Sequence, residues 1–423
     1  MISKMQCCGR ISSSPALALG LAIALAVAVG AVPQAHAQAI QVIYSFGSRL
    51  YDGVGPESDL WRSPSGVILS GTTNLGGDFK CGAGKLGCGA VFQLKPNANG
   101  TIWTETIMTR FSRLFGENPS GGVIRDKYGD FLGTTLKGGI FGAGTVFVLH
   151  PSSDGWGEDV VHDFASQPDG ASPQGDLWED TQGNFYGTTN GGGTANYGSV
   201  FKLDATKEHT YSLLYSFASS ADGKFPLGGL VQDKSGNFYG TTSNGGSVGN
   251  GTIFQLDPTG TTKTILHNFT GTPDGTNPVG ALAIDNNGNL YGATHSGGDG
   301  ICICGIVFEL SPPAVKGGAW TESVKYRFTG GADGGEPTGI VRDSNGNLFG
   351  TTTAGGSTPP GYGTVFEVDL GGSETVLWSF TNGADGGAPV GNVILDAHQK
   401  YVYGTARDGG ANSAGVVFRI AVP

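Results

Sequence analysis

Six aspartates in a shared sequence context are the residues of this chain whose type and spacing suggest chemistry. Each begins an Asp-Gly-x-x-Pro motif, and Phe115 replaces the aspartate in a seventh copy; the six are Asp52, Asp169, Asp222, Asp274, Asp333 and Asp385. Clustered carboxylates bind hard cations such as Ca²⁺ and attract cationic ligands, so the series predicts a ligand- or cation-binding rim. The alternative, favoured by the presence of an aspartate in six of seven copies, is that each carboxylate caps its own turn. The sequence contains no Asp-x-Asp-x-Asp-Gly calcium loop.

Four cysteines form the second candidate group: Cys81, Cys88, Cys302 and Cys304. In an exported chain an even number of cysteines favours disulfides. Sequence proximity then pairs Cys81 with Cys88 and Cys302 with Cys304. The alternative is a metal site, for example for zinc, formed by His295 and Asp299 together with Cys302 and Cys304, because zinc accepts nitrogen, sulfur and oxygen ligands. The spacing of these residues matches no recognised zinc motif.

These residues lie in loops of a tandem repeat that runs through the chain. Three positions of the repeat recur seven times each, about 50 to 65 residues apart. They are a first phenylalanine (Phe46, Phe111, Phe164, Phe217, Phe269, Phe328 and Phe380), a glycine followed by a small residue (Gly71, Gly133, Gly187, Gly240, Gly292, Gly350 and Gly404) and a last phenylalanine (Phe92, Phe147, Phe201, Phe254, Phe308, Phe366 and Phe418). A repeat of this length is typical of propeller blades.

Each repeat contains four short β-type runs separated by turn residues and no sustained helical periodicity. In the fourth repeat we predict strands A to D at Gly229–Gln232, Asn237–Thr242, Gly251–Leu256 and Thr264–Phe269. The sequence therefore predicts an all-β fold, a seven-bladed propeller with four-stranded blades. An open β-solenoid is the alternative, but we find no capping ends for it.

The two ends of the chain indicate how such a ring closes. The chain begins with a D-type strand at Gln41–Phe46 and ends with a C-type strand at Val416–Ile420. We expect the N-terminal strand to complete the last blade, which leaves no open sheet edge at the seam.

The repeat resembles the GloVer (Gloeo_Verruco) tandem repeat of exported bacterial choice-of-anchor proteins. The residues that carry the resemblance are Tyr215-Ser216-Phe217, Asp222-Gly223, Gly236-Asn237-Phe238-Tyr239-Gly240-Thr241-Thr242 and Gly251-Thr252-Ile253-Phe254-Gln255-Leu256. The likeness extends over residues 41 to 420 and implies an exported, propeller-like protein. It implies no particular activity and no catalytic residues.

The N-terminus has the layout of a secretory signal peptide. Lys4 and Arg10 precede an apolar run from Ala16 to Val32, and Ala35-His36-Ala37 forms a small-x-small cleavage site. We predict a signal peptide at residues 1–37 and a single propeller domain at residues 38–423. A membrane anchor is the alternative, but a run of about 17 residues is short for a spanning helix. The C-terminus shows no apolar tail, so we expect release to the periplasm or the medium rather than anchoring.

The charge of the predicted mature chain limits its partners. Removal of Lys4 and Arg10 leaves 22 of the 24 basic residues against 35 acidic ones. Nucleic acids and anionic lipids are bound by clusters of Lys and Arg, and the sequence contains no such cluster. We therefore expect a monomer with a neutral or cationic partner, an extracellular carbohydrate or protein, and neither nucleic acid nor membrane.

Two motifs of secreted enzymes are missing from the sequence. It contains no H-E-x-x-H and no sialidase-type Asp box, and strands rather than helices follow the glycine-rich segments, which argues against a phosphate cradle. The sequence thus favours a non-catalytic binding propeller with no cofactor other than Ca²⁺. A secreted lyase or hydrolase is the first alternative and predicts acid or base groups from different blades meeting in one cleft. A purely architectural module is the second.

Overall fold

Seven four-stranded antiparallel sheets make up the fold. A computed structural model describes residues 39–423 apart from residues 79–80, 82–85, 299, 301, 303, 316 and 358. The signal peptide predicted at residues 1–37 lies outside the described residues. Each sheet is one blade with four strands in the order A, B, C and D. The chain is therefore the predicted seven-bladed β-propeller, and the solenoid alternative is wrong.

The described strands, numbered in chain order, have the following bounds. They are β1 (Gln41–Ser45), β2 (Gly53–Val54), β3 (Trp61–Arg62), β4 (Leu69–Thr73), β5 (Leu75–Gly76), β6 (Ala90–Pro96), β7 (Trp103–Arg110), β8 (Ile124–Arg125), β9 (Phe131–Thr135), β10 (Thr145–Ser152), β11 (Gly155–Asp163), β12 (Trp178–Glu179), β13 (Phe185–Thr189), β14 (Ser199–Leu203), β15 (Tyr211–Ser216), β16 (Val231–Gln232), β17 (Phe238–Thr242), β18 (Thr252–Leu256), β19 (Lys263–Asn268), β20 (Thr276–Ile284), β21 (Leu290–Ser296), β22 (Ile306–Ser311), β23 (Thr321–Arg327), β24 (Gly335–Arg342), β25 (Leu348–Ala354), β26 (Thr364–Val368), β27 (Glu374–Ser379), β28 (Ile394–Leu395), β29 (Tyr401–Ala406) and β30 (Val416–Ala421). Among the residues that the structure describes, a 3-10 turn spans Ser220–Asp222.

The strands group into blades I to VII along the chain. Blade I contains β3, β4, β6 and β7, blades II to VI contain β8–β11, β12–β15, β16–β19, β20–β23 and β24–β27, and blade VII contains β28, β29, β30 and β1. The pair β2 and β5 forms a two-stranded ribbon beside blade I. Strand A is only two residues long in five blades and is longer in blades V and VI.

The first strand of the chain closes the ring, as the sequence predicts. β1 pairs antiparallel with β30, with Gln41 opposite Arg419 and Ser45 opposite Val416. The backbone N–H of Phe46 then donates to the carbonyl of Gly415 at 3.0 Å. Blade VII is therefore built from both ends of the chain, and no open edge is left at the seam.

The turn between strands A and B shows why the repeat specifies hairpins. In blade IV the carboxylate of Asp233 accepts hydrogen bonds from the backbone N–H of Ser235 at 2.8 Å and of Asn237 at 2.9 Å. Gly236 adopts a φ of 86°, which a side chain would disfavour. The strands on either side agree with the predicted bounds within two residues; the largest difference is strand A, which starts at Val231 rather than Gly229.

A pair of phenylalanine rings lies at every interface between neighbouring blades. The last phenylalanine of each blade, on strand C, makes an edge-to-face contact with the phenylalanine that follows strand D of the preceding blade, with ring centroids 4.9–5.4 Å apart. The pairs are Phe46–Phe92, Phe111–Phe147, Phe164–Phe201, Phe217–Phe254, Phe269–Phe308, Phe328–Phe366 and Phe380–Phe418. All fourteen rings are buried. Buried aromatic pairs of this geometry stabilise a core beyond the area that they bury.

The repeated glycine of strand B makes room for these rings. Gly133 lies opposite Phe147 in the ladder between β9 and β10. A Cβ atom at Gly133 would lie 2.5 Å from Cζ of Phe147, which is closer than real side chains approach. The glycine is therefore required by packing rather than by its backbone conformation.

We predict that the seam is as strong as an internal interface. Phe46→Ala removes one ring at the seam and Phe217→Ala removes the equivalent ring between blades III and IV. Because each leaves a buried cavity, each lowers the free energy of unfolding by about 3–5 kcal/mol, measured by urea denaturation. Leu213→Ala, at a partly exposed site, costs about 0.5 kcal/mol or less. A small loss for Phe46→Ala beside a large loss for Phe217→Ala contradicts the closure.

Candidate functional site

The D-to-A and B-to-C loops of each blade meet on one face of the propeller, as its topology predicts. Isolated backbone bridges join the two loops, for example Ala171 with Gly191 in blade III and Lys224 with Asn244 in blade IV. In blades V and VI the corresponding residues extend the ladders of β20 with β21 and of β24 with β25. This loop face holds both the six aspartates and the mouth of the central cavity.

Each of the six aspartates binds its own D-to-A turn. Its carboxylate accepts a hydrogen bond from the backbone N–H four residues earlier. For example, Ala218 donates to Asp222 at 3.0 Å, and Thr329 donates to Asp333 at 2.8 Å. Ser48, Ala165, Thr270 and Thr381 make the same bond to Asp52, Asp169, Asp274 and Asp385. This is the turn-capping arrangement that the sequence offers as the alternative to a binding rim. Cation binding by the rim stays a prediction.

The same carboxylates also fix strand D. Each accepts a hydrogen bond from a ring on that strand; the donors are Tyr44, His162, Tyr215, His267, Tyr326 and Trp378 for Asp52, Asp169, Asp222, Asp274, Asp333 and Asp385. Two more partners come from strand D of the next blade. Lys263 forms an ion pair with Asp222 at 2.8 Å, and the hydroxyl of Tyr211 donates to Asp169 at 2.5 Å.

At three blade interfaces the strand D position that Lys263 occupies in blade IV holds a glutamate, which lies beside the turn aspartate of that interface. Burial and the nearby Asp52 raise the pKa of Glu105 to about 8. Burial together with Asp274 raises the pKa of Glu322 to about 7, and burial together with Asp333 does the same for Glu374. One carboxyl oxygen of each of these glutamates is buried without a hydrogen-bond partner. These groups therefore hold a proton near neutral pH.

The four cysteines pair within their own loops. The structure joins Cys81 to Cys88 and Cys302 to Cys304. Because sulfur atoms in disulfides are not thiolates, they do not serve as zinc ligands in this state. Of the other two residues of the alternative zinc site, Asp299 lies outside the described residues and His295 lines the central cavity.

A cavity of about 320 Å³ lies on the propeller axis. It is surrounded by the segments that follow the repeated proline of each D-to-A loop. The residue before each of these prolines has a positive φ of 48–64° and is held there by a hydrogen bond from its N–H to the B-to-C loop of the preceding blade. The seven donors are Gly55, Asn118, Ser172, Phe225, Asn277, Glu336 and Ala388. Strained backbone of this kind persists only where its surroundings fix it, so the segments around the cavity have set positions.

The position three residues after the proline differs among the blades. It is occupied by Asp59, Gly122, Asp176, Gly229, Ala281 and Asn392 in blades I to V and VII. Blade VI has one residue fewer between Pro337 and Asp343, the aspartate of its A-to-B turn. Glycine and alanine leave space at the axis. Asp59 and Asp176 thus bring two carboxyl groups from different blades into one cavity.

Backbone donors of neighbouring blades hold the two carboxyl groups in place. The N–H of Asn392 donates to Oδ1 of Asp59 at 2.6 Å, and the N–H of Gly122 donates to Oδ1 of Asp176. Burial, followed by the charge and the hydrogen bond of Asp176, raises the pKa of Asp59 well above its usual range. A carboxyl group with a raised pKa beside a second carboxyl group is an arrangement suited to binding or to acid–base chemistry.

Glu57, the third acidic residue on the cavity wall, is already engaged. Glu57 accepts a hydrogen bond from the side-chain amide of Asn74 at 2.6 Å. Glu57 also lies 3.9 Å from the guanidinium of Arg407. His295 stands at the end of β21 and is half-buried. Asp59 and Asp176 are therefore the acidic groups most free to meet a ligand.

The axial pair was missed by the sequence analysis, which weighed the positions that all copies share. Its signal lies in a position at which the copies differ. The tripeptide Asp-Leu-Trp occurs at Asp59–Trp61 and again at Asp176–Trp178, and the other copies have no acid there. Aligning the seven copies and asking where an ionisable residue replaces glycine would have identified it.

Fold and cavity together define a seven-bladed propeller with an acidic axial site. The chain belongs to the Gloeobacter/Verrucomicrobia repeat family, whose sequence profile matches residues 81–302 and 300–423. No curated protein matches the chain.

Two solved structures share the fold at low sequence identity. One is the extracellular domain of a protein from B. thetaiotaomicron described as a one-component system, with a TM-score of 0.56 and 15% identity over 91% of this chain. This chain spans 42% of the length of that one. The other, from Bacteroides uniformis, is described as a 6-phosphogluconolactonase and has a TM-score of 0.50 and 16% identity over 84% of this chain and 97% of its own. Both likenesses concern the fold alone. Among the described residues no helix is long and apolar enough to span a membrane.

We predict that the paired glutamates make the protein more stable in mild acid. Glu105, Glu322 and Glu374 have an ordinary pKa of 4.5 and folded pKa values of about 7 to 8. Between these values the folded protein holds more protons than the unfolded chain, so their contribution is complete below about pH 4.5 and is lost as the pH rises through 7 to 8. The melting temperature should be higher at about pH 5.5 than at about pH 8.5, by roughly 3 °C or more.

The triple variant Glu105→Gln, Glu322→Gln, Glu374→Gln should reduce this pH dependence because glutamine does not titrate. Glu158, whose pKa is raised to about 7 by burial, is unchanged in this variant and keeps part of the dependence. The exposed Glu208→Gln is the matched control and should leave the profile as it is. A melting temperature that rises from pH 5.5 to 8.5 in the wild type contradicts the assignment.

Proposed function

We propose that the chain is an exported ligand-binding propeller that takes a small, polar, neutral or cationic molecule into its axial cavity through Asp59 and Asp176. The observation that carries the proposal is the meeting of these two carboxyl groups, from blades I and III, in a ring of otherwise small residues. Their paired oxygens accept hydrogen bonds from hydroxyl or ammonium groups. The cavity of about 320 Å³ lies at the lower end of the range for small-molecule sites.

Export is supported by the predicted signal peptide and by the two disulfides. The excess of 35 acidic over 24 basic residues disfavours a nucleic acid or an anionic membrane as the partner. An extracellular sugar fits this set of constraints, because it is neutral and presents several hydroxyl groups to the carboxyl pair.

Hydrolysis or lyase chemistry on such a molecule is the second candidate function. It is favoured by the same pair, because two acid or base groups from different blades meet in one cleft. Asp176 would accept a proton from the attacking water or the substrate, and Asp59 would donate one to the leaving oxygen.

A thermal-shift screen of the mature protein against neutral oligosaccharides and small amines tests the proposal. A ligand at one hundred times its dissociation constant adds about 2.7 kcal/mol of stability. We expect a shift for at least one class, lost in Asp59→Asn and in Asp176→Asn and retained in Asp154→Asn, which removes an exposed carboxylate. Turnover of the same molecule that is lost in Asp59→Asn identifies an enzyme, whereas a shift without turnover identifies a binding protein.

Two outcomes contradict the axial site. A shift that survives in both axial variants and disappears in Asp222→Asn or Asp274→Asn places the site at the rim. A shift for no ligand in either class, with a folded wild-type protein, favours the architectural alternative.

A further inference from the structure

Exposed apolar side chains are concentrated on one part of the loop face. They lie in the D-to-A and B-to-C loops of blades I and II, and together we call them the apolar patch. They are Leu50, Tyr51 and Leu86 in blade I and Leu114, Phe115, Ile140 and Phe141 in blade II. Among the described residues of the other five blades, Val248 is the one large apolar side chain exposed on this face. A group of exposed apolar side chains marks an interaction surface, whereas scattered ones do not.

Hydrogen bonds between neighbouring loops hold the patch together. In blade II the N–H of Gly139 donates to the carbonyl of Arg113 at 2.9 Å, so the two loops of this blade are adjacent. In blade I the ribbon of β2 with β5 joins the loop of Tyr51 to the loop of Leu86. Arg110, just before the loop into blade II, donates from Nε to the carbonyl of Tyr51 at 3.2 Å. The patch is therefore one surface across two neighbouring blades.

Phe115 stands where the other six copies of the repeat have the turn aspartate, and it is 40% exposed. In this turn the N–H groups of Phe115 and Gly116 both donate to the carbonyl of Ser112 at 2.9 Å. These backbone bonds hold the turn without a carboxylate, but they do not require an aromatic ring. A half-exposed ring is stabilised when a partner removes it from water.

The patch carries positive charge, although the chain as a whole is acidic with 35 acidic and 24 basic residues. The side chains of Arg49, Arg110, Arg113 and Lys137 are exposed in or beside the same loops. These four residues are spread along the sequence, and only the fold brings their loops together. Because surface charges act over about 8–10 Å at physiological ionic strength, a partner at the patch meets this local charge.

Two acidic residues of the same loops are buried. Asp52 is 2% exposed and accepts a hydrogen bond from the N–H of Ser48. Glu117 is 8% exposed and pairs with Arg113 at 2.8 Å, whereas the side chain of Arg113 is 81% exposed. The patch thus offers basic groups among apolar side chains and keeps these two carboxylates inside.

We propose that the apolar patch of blades I and II binds a protein partner through a segment that carries carboxylate and apolar side chains. Aromatic residues and arginine are enriched in protein interfaces, and arginine binds a carboxylate through two parallel hydrogen bonds. An anionic membrane fits less well, because it repels the acidic remainder of the chain. A second copy of this chain also fits less well, since patch against patch brings like charges together. The inference does not depend on the ligand of the axial cavity.

Selection from a random peptide library displayed on phage, with folded protein of residues 38–423 as the target, tests the inference. We expect the selected peptides to share acidic and apolar residues. A labelled selected peptide should bind at least about tenfold more weakly to Phe115→Asp and to Lys137→Glu, measured by fluorescence anisotropy. Phe115→Asp restores the residue of the other six turns, so we expect it to fold. Val248→Asp, on the loop face of blade IV, and Lys234→Glu, in an A-to-B turn, are the matched controls and should bind as the wild type does.

Three results of the selection overturn the inference. They are no enriched peptide for the folded wild type, enriched peptides that bind undiminished to folded Phe115→Asp and Lys137→Glu, and a shared peptide pattern without acidic residues. Circular dichroism identifies a variant that fails to fold, and each of the two variants tests the patch without the other.

Two further measurements separate the other occupants. Sedimentation with vesicles of phosphatidylglycerol and phosphatidylcholine that is lost in Phe115→Asp assigns the patch to a lipid surface and overturns the inference. A dimer in analytical ultracentrifugation that is lost in Phe115→Asp assigns the patch to a second copy and overturns it too. Neither is expected for the wild type.

Discussion

The packing of one phenylalanine ring against another at each blade interface is the constraint on which the rest of the structure depends. A four-stranded blade cannot bury both faces by itself, and these seven aromatic pairs join each blade to the next. The ring on strand C lies over the glycine of strand B, so a larger residue there would separate the blades. The Phe46–Phe92 pair extends the same contact to the seam. Seven equivalent interfaces make a closed ring.

A closed ring of near-identical blades leaves few positions at which one site can be built. Residues that recur in most blades, such as the six turn aspartates, are occupied by the fold: Asp333 accepts hydrogen bonds from Tyr326 and from the backbone of Thr329. The axis is different because all seven blades meet there and their contributions need not be equal. Asp59, Asp176 and Asn392 break the symmetry of the ring at this place, and they do so among glycines that keep the centre open.

The sequence predicted the fold well because the fold is set by local, repeated features. Three features were enough to predict seven blades and the closure of the ring. They are the periodic phenylalanines, the turn of the Asp233–Asn237 type, and a chain that begins with a D-type strand and ends with a C-type strand. The axial site could not be found in the same way, since Asp59 and Asp176 are 117 positions apart and only the closed ring brings them together. The glutamates of strand D were missed for a similar reason: Glu105 faces Asp52 only across a blade interface.

A crystal structure of residues 38–423, grown with Ca²⁺ and an oligosaccharide, tests most directly whether the axis is the functional site. We predict electron density for an ion or a ligand on the axis, in contact with Asp59 and Asp176, and turn aspartates that keep their hydrogen bonds to their own loops. Density at the rim, with an axial cavity that holds only water and has no contact to Asn392, would contradict it.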